Sequence, residues 1–275
     1  MLLLCNYIHK RSFQFLIVGV ILGCLQGCDR TGVYQVKSVH VRVDSLSQIL
    51  PVTDSLVAPV LYTNVRGLDS IPLSEARRKF IDAVLPAILV ARHNVDMQRV
   101  RLLEICQREW TGDDSVFVGE LKMRYGAKDV DELLNRIGTL PTSIVLAQAA
   151  VESGWGRSRF FIQASNVFGI WSTDTTQARI PASVRRKNKT IYVRSYDDIS
   201  MSVKDYFDVL SRARSYRKLR QARRTTQDPF KLLPHLRAYS ERKNAYTRLL
   251  RKVIEQNDLT RYDRYVIDPA YLVRE

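Results

Sequence analysis

Leu140-Pro-Thr-Ser-Ile-Val-Leu-Ala-Gln-Ala-Ala-Val-Glu-Ser-Gly-Trp-Gly156 is an apolar run with one ionisable side chain, Glu152. The run predicts a helix. Pro141 suits a first turn, where its missing N–H has no intrahelical partner, and Gly154 or Gly156 suits the exit, where φ turns positive. Glu152 then falls in the last turn, whose partial negative charge opposes another. Shielding by Val151, Trp155 and Phe160 would add a desolvation penalty, so both effects favour the neutral carboxyl. A carboxyl that keeps its proton near neutral pH is what general acid catalysis requires, and glycoside hydrolysis uses such a group most often. A solvated residue at a helix end is the plain alternative.

Further motifs follow in order. Ala147-Gln-Ala-Ala-Val-Glu-Ser-Gly-Trp-Gly-Arg-Ser158 precedes Ser165-Asn-Val-Phe-Gly-Ile170, Tyr192-Val-Arg-Ser-Tyr-Asp-Asp-Ile-Ser-Met-Ser-Val-Lys-Asp-Tyr206 and Tyr239-Ser-Glu-Arg-Lys-Asn-Ala-Tyr246. Together they resemble glycoside hydrolase family seventy-three, the bacterial glucosaminidases that cut peptidoglycan, and more narrowly its Bax-type members, over residues 75–262. The resemblance implies a mainly α (α+β) fold: a lysozyme-like helical domain in which a small β-hairpin lobe walls a sugar cleft. It implies cleavage of peptidoglycan glycan strands at the β-1,4 bond after N-acetylglucosamine, with Glu152 as general acid. Tyr239 is the second catalytic candidate, because its family counterpart lies in the cleft near the acid.

Trp155, Phe168, Trp171, Tyr196 and Tyr246 also fall in or beside these motifs, and flat apolar faces with polar rims suit a pyranose. With Asn166 they form the expected substrate contacts, although each aromatic alone also suits a core and Asn166 suits fixing the turn that carries Phe168.

Glycosidases normally work with two carboxylates. Related glucosaminidases often supply the second from the hairpin, yet residues 175–196 contain no Asp or Glu; the bordering acids are Asp174, Asp197 and Asp198. Three routes stay open: attack by the substrate's own N-acetyl group, water held by Tyr239 and backbone groups, or intramolecular attack by a muramic acid hydroxyl as in lytic transglycosylases. A catalytically silent wall-binding protein is the rival from another class.

The 275 residues suffice for one domain with extensions, and 45% hydrophobic residues can bury a sizeable core. Against 28 Asp and Glu stand 43 Lys and Arg, a net charge of +15 that draws the chain to something acidic. Nucleic acid is not the expected partner, since an export signal precedes the domain and no phosphate-cradling G-x-x-x-x-G-K-[ST] loop occurs.

Residues 1–27 read as a bacterial lipoprotein signal peptide, with Lys10 and Arg11 ahead of the apolar stretch 13–25. Leu25-Gln-Gly-Cys28 resembles a lipobox, which makes Cys28 the expected lipid-bearing residue; Ile21-Leu-Gly-Cys24 fits the pattern slightly earlier, and an uncleaved signal anchor is the alternative. Lipid would hold the chain on the periplasmic side of a bacterial membrane, the inner one if Asp29 acts as a retention signal. Of the four cysteines only Cys106 lies beyond this segment, and it reads as a small buried hydrophobe. The four histidines are scattered, so no metal site is expected, nor any cofactor. The expected assembly is a monomer.

Residues 28–73 lack a sustained period and contain Pro51, Pro59 and Pro72, which reads as a tether with short extended pieces such as 33–43. The domain spans 74–262. Ser74 opens a helix that Pro86 kinks, a second helix covers 96–110, and 116–125, 130–137 and 156–164 follow. Residues 180–186 and 190–194 read as a hairpin. Helices then begin at Ser200 and cover 215–224, 229–238 and 244–257. Arg212, Arg214, Arg217, Lys218, Arg220, Arg223 and Arg224 read as a solvated face, with an anion site as the alternative. The tail 263–275 carries no signal.

Overall fold

The computed structural model describes residues 32–186 and 189–275. The signal segment, Cys24, Cys28 and Asp29 lie outside the described residues, as does the hairpin turn at 187–188.

The apolar run forms α4 (Thr142–Ser153), and residues 141–150 are buried without interruption, as befits a helix that is apolar on all sides. Pro141 brings no side-chain cap. The Ser143 N–H and hydroxyl instead donate to the two oxygens of Asp263, at 2.7 and 2.8 Å, which places an anion at the positive end of the helix dipole. The tail that carries no signal in sequence thus begins by capping the helix of Glu152.

Against α4 packs α1, which is one helix, Leu73–Ile105, rather than the two read from sequence. Pro86 sits inside it, and the cap position is Pro72 rather than Ser74. Residues 83–91 are all buried, so packing on every side holds the helix across the donor that proline lacks. Cys106 follows it, half-buried against the core.

Residues 32–73 are not a free spacer. β1 (Tyr34–Val36), β2 (Val39–Arg42), β3 (Leu56–Val57) and β4 (Val60–Thr63) are short, and β2 pairs in parallel with β4. The other two pair with the end of the chain: β1 runs antiparallel to β9 (Leu272–Arg274) and β3 parallel to β8 (Val266–Ile267). Val43, Ile49, Leu61, Tyr62, Val65 and Leu68 join the core. Each large apolar side chain buried this way contributes about 1.5–3 kcal/mol, more than a solvated tether could gain. Val52 N–H donates to Asp82 of α1 at 2.9 Å, and Lys79 Nζ to the Ile49 carbonyl at 2.7 Å.

The hairpin forms where expected, as β6 (Arg179–Arg186) and β7 (Lys189–Arg194), and β5 (Trp171–Ser172) extends it to a three-stranded antiparallel sheet in the order β5-β7-β6. The remaining helices are α2 (Gly112–Tyr125), α3 (Val130–Arg136), α5 (Arg159–Ala164), α6 (Ile199–Arg212), α7 (Arg217–Ala222), α8 (Pro229–Leu232) and α9 (Asn244–Gln256). The mainly α (α+β) class with a small β-lobe is the observed one. Among the described residues no helix is long and apolar enough to cross a membrane.

Two members of the basic run are neither solvated nor open to an anion. Arg220 donates to the carbonyls of Leu210 and Ala213, and Arg223 to those of Gly138 and Arg136. Both are buried, and desolvation pushes the Arg223 guanidinium down to about 10.

Candidate active site

The sequence Glu152-Ser-Gly-Trp-Gly156 makes an abrupt exit from α4. Gly154, Trp155 and Gly156 take φ of 60, 59 and 78°, three left-handed residues in succession. The turn is closed by Ser153, whose hydroxyl donates to the Ala149 carbonyl at 2.6 Å and accepts from Gly156 N–H at 2.9 Å. The Trp155 indole meets Phe80 edge-on, with centroids 5.6 Å apart, and the Arg77 guanidinium lies 5.1 Å from its ring centre. Trp155 therefore anchors the turn to α1 while staying partly exposed.

Glu152 is half-buried in the last turn of α4. Desolvation raises its pKa, and a hydrogen bond from Tyr246 to Oε1 at 2.8 Å opposes that shift without cancelling it. Among the described residues Oε2 has no partner. Tyr246, on α9, is itself buried and accepts from Gln148 Nε2 at 2.9 Å. Gln148 lies one turn before Glu152 on the same face of α4 and is fully buried; its Oε1 accepts from the Tyr206 hydroxyl at 2.6 Å.

Phenols surround this line. Tyr239 stacks on Tyr246 with rings 5.7 Å apart and 7° from parallel, and its centroid lies 6.1 Å from that of Tyr206. Phe168 stacks on Tyr206 at 4.3 Å. Burial, reinforced by the Glu152 charge, pushes Tyr216 up to about 12 and raises Tyr206, Tyr239 and Tyr246 as well. All four stay protonated around neutral pH, so they donate hydrogen bonds and do not act as bases. Among the described residues the Tyr239 hydroxyl has no hydrogen-bond partner, which suits a group that waits for substrate.

The remaining sequence candidates separate by position. Asn166 is 1% exposed; it accepts from Ile170 N–H and donates to the carbonyls of Ile170 and Arg194, so it staples the 166–170 turn to β7 and cannot touch substrate. Phe168 and Tyr246 are buried and support the acid rather than offer a face to a sugar. Tyr196 gives its hydroxyl to Asp205 at 2.6 Å. Trp171 is 54% exposed on β5.

Asp198 caps α6 through bonds to Ser200 and Met201 and is buried, whereas Asp174 is exposed, held low by the Thr176 hydroxyl and N–H. Gln148, Tyr206 and Tyr216 are the site residues that sequence reasoning missed. The available signal was a buried amide within an apolar helix, four residues before the acid.

Residues 127–259 match the family model described as Glucosaminidase: Mannosyl-glycoprotein endo-beta-N-acetylglucosaminidase. That span contains Gln148, Glu152 and all four phenols, and it makes the chain a glycoside hydrolase. More narrowly, the chain is similar to Protein bax of Escherichia coli (strain K12), which is 24% identical over 211 residues that cover 71% of this chain and 75% of that protein. Among solved structures, the chain is similar to the catalytic domain of the autolysin Auto from Listeria monocytogenes, at 22% identity and a TM-score of 0.38, over 56% of this chain and 90% of that one. A peptidoglycan hydrolase from Sphingomonas sp. A1 matches at 22% identity and a TM-score of 0.37, over 51% of this chain and 86% of that one.

Proposed function

We propose that the chain cleaves the glycan strands of peptidoglycan as an endo-β-N-acetylglucosaminidase, with Glu152 as the general acid and Tyr239 beside it. The observation that carries this reading is a half-buried carboxyl whose pKa is raised, with Oε1 held by Tyr246 and Oε2 unengaged by the protein. The glucosaminidase-family domain supports the bond, and the export signature with the +15 charge supports an extracytoplasmic acidic polymer. Among the described residues the group hydrogen-bonded to the Glu152 carboxyl is a phenol, Tyr246, and no second carboxylate is paired with it. This favours substrate assistance: the acetamido oxygen attacks the anomeric carbon while Glu152 protonates the departing oxygen, and water then opens the oxazolinium.

Mass spectrometry of borohydride-reduced products from purified sacculi tests this. The expected ends are N-acetylglucosaminitol. Muramitol ends would move the cut to the other bond, 1,6-anhydro ends would point to intramolecular attack, and bound wall with no soluble fragment would leave a silent binding protein.

We also propose that lipid on Cys28 holds the domain at the periplasmic side of a membrane, the inner one on the strength of Asp29. Because β1 already begins at Tyr34, such an anchor would keep the domain close to the bilayer. Cys28→Ala is expected to abolish fatty-acid labelling and release the protein from the membrane fraction; persistent labelling would transfer the lipid to Cys24.

A further inference from the structure

A buried carboxamide has two orientations of nearly the same shape, and its hydrogen-bond partners decide between them. In Gln148 the Tyr206 hydroxyl donates to Oε1 at 2.6 Å, which turns Nε2 toward Tyr246. An amide nitrogen only donates, so the Tyr246 oxygen must accept, and its own proton is left for Glu152 Oε1 at 2.8 Å. In the opposite orientation Tyr246 would donate to the carboxamide oxygen and could only accept from Glu152. The setting of Gln148 therefore decides whether the acid faces a donor or an acceptor.

We infer that Gln148 and Tyr206 are positioning residues: by forcing Tyr246 to donate to Oε1, they keep the acid proton of Glu152 on Oε2, the oxygen the protein leaves unengaged. The inference rests on the reading of Glu152 as general acid. A proton on Oε1 would be aimed at Tyr246 instead of at a leaving oxygen, and its transfer would need a rearrangement first. Donation to Oε1 also favours the carboxylate that remains once the proton has gone. Because each bond polarises the next, the grip of Tyr206 on Gln148 also strengthens the final one.

The test is a carbon-13 titration of glutamate side-chain carboxyls, with the Glu152 signal assigned by its loss in Glu152→Gln, alongside the pH profile of kcat/KM on sacculi. Tyr206→Phe keeps the ring and frees the amide to turn, and Tyr246→Phe removes the final donor. Each is expected to raise the Glu152 midpoint by about one unit, roughly what a single hydrogen bond to a carboxylate contributes, and to carry the alkaline limb upward with it. The double variant should shift no further than Tyr246→Phe, since Tyr206 acts through Tyr246.

Should Tyr206→Phe fail to fold, Tyr246→Phe still tests the donor, and Gln148→Leu, which leaves the Tyr246 proton no acceptor but Glu152, is expected to keep the midpoint near its native value. Tyr125→Phe, which deletes a comparable buried bond to Gln98, should leave the midpoint in place. An unmoved midpoint in Tyr206→Phe, or shifts that add in the double variant, would overturn the inference. The titration needs no turnover: shifted midpoints without glycan cleavage would leave the hydrogen-bond assignment standing and remove the catalytic reading, and cleavage with unmoved midpoints would do the reverse.

Discussion

Glu152→Gln is expected to lower turnover on peptidoglycan by about 10²- to 10⁴-fold, the contribution of a positioned general acid. The amide keeps the volume of the carboxyl and still offers Oε1 to Tyr246, so the phenol cluster should stay in place and wall binding should persist. It lacks the proton that the leaving oxygen requires. The alkaline limb of the native pH profile, which reports loss of that proton from a carboxyl whose pKa burial has raised, should vanish with it. Tyr239→Phe should lose less, since it removes a hydroxyl beside the reaction and leaves the donor of the proton intact. A Glu152→Gln enzyme that clears a peptidoglycan zymogram at the native rate would sink the proposed mechanism.

Gly156→Ala should destabilise the fold by about 2–5 kcal/mol, combining roughly 1–2 for a left-handed backbone with roughly 1–3 for overpacking. A Cβ at this position would sit 2.7 Å from Leu68 Cδ1, 2.9 Å from Phe80 Cδ2 and 3.1 Å from a carbon of Phe161, in three separate segments of the core. Gly154 makes the comparison clean. Its φ is also positive, at 60°, yet nothing lies within 4 Å of the added carbon, so Gly154→Ala should show the backbone cost alone. Urea midpoints at constant m-value measure both. Equal losses at the two positions would mean that the Leu68 and Phe80 contacts relax freely.

How legible these features were in sequence depended on how local their causes are. α4 announced itself because proline and glycine bracket an apolar run, and the hairpin because two β-rich stretches flank a short polar turn. Glu152 could be singled out because it was the one charge in that helix. Pro86 misled, since the local cost of a proline was visible and the burial of 83–91 that offsets it was not. Residues 32–73 misled for a related reason: β1 and β3 look like isolated extended pieces until their partners at the far end of the chain are known. Tyr206 lies 58 positions from Gln148, and Tyr246 lies 94 from Glu152, so no periodicity links them. Asp263 reaches Ser143 across 120 positions, and nothing in residues 263–275 marks it as a cap.

The pairing of β1 with β9 also orders events in time. Gln35 and Glu275 are joined by a hydrogen bond across 240 positions, and the Glu275 N–H donates to the Val33 carbonyl. A strand whose partner lies so far along the chain has to wait for it, so folding should begin with the sequence-local contacts of α2 with α3 and of β6 with β7, and finish when β1 meets β9. Contacts of such separation slow the search for the native state, and the segment that carries β1 is the last to settle.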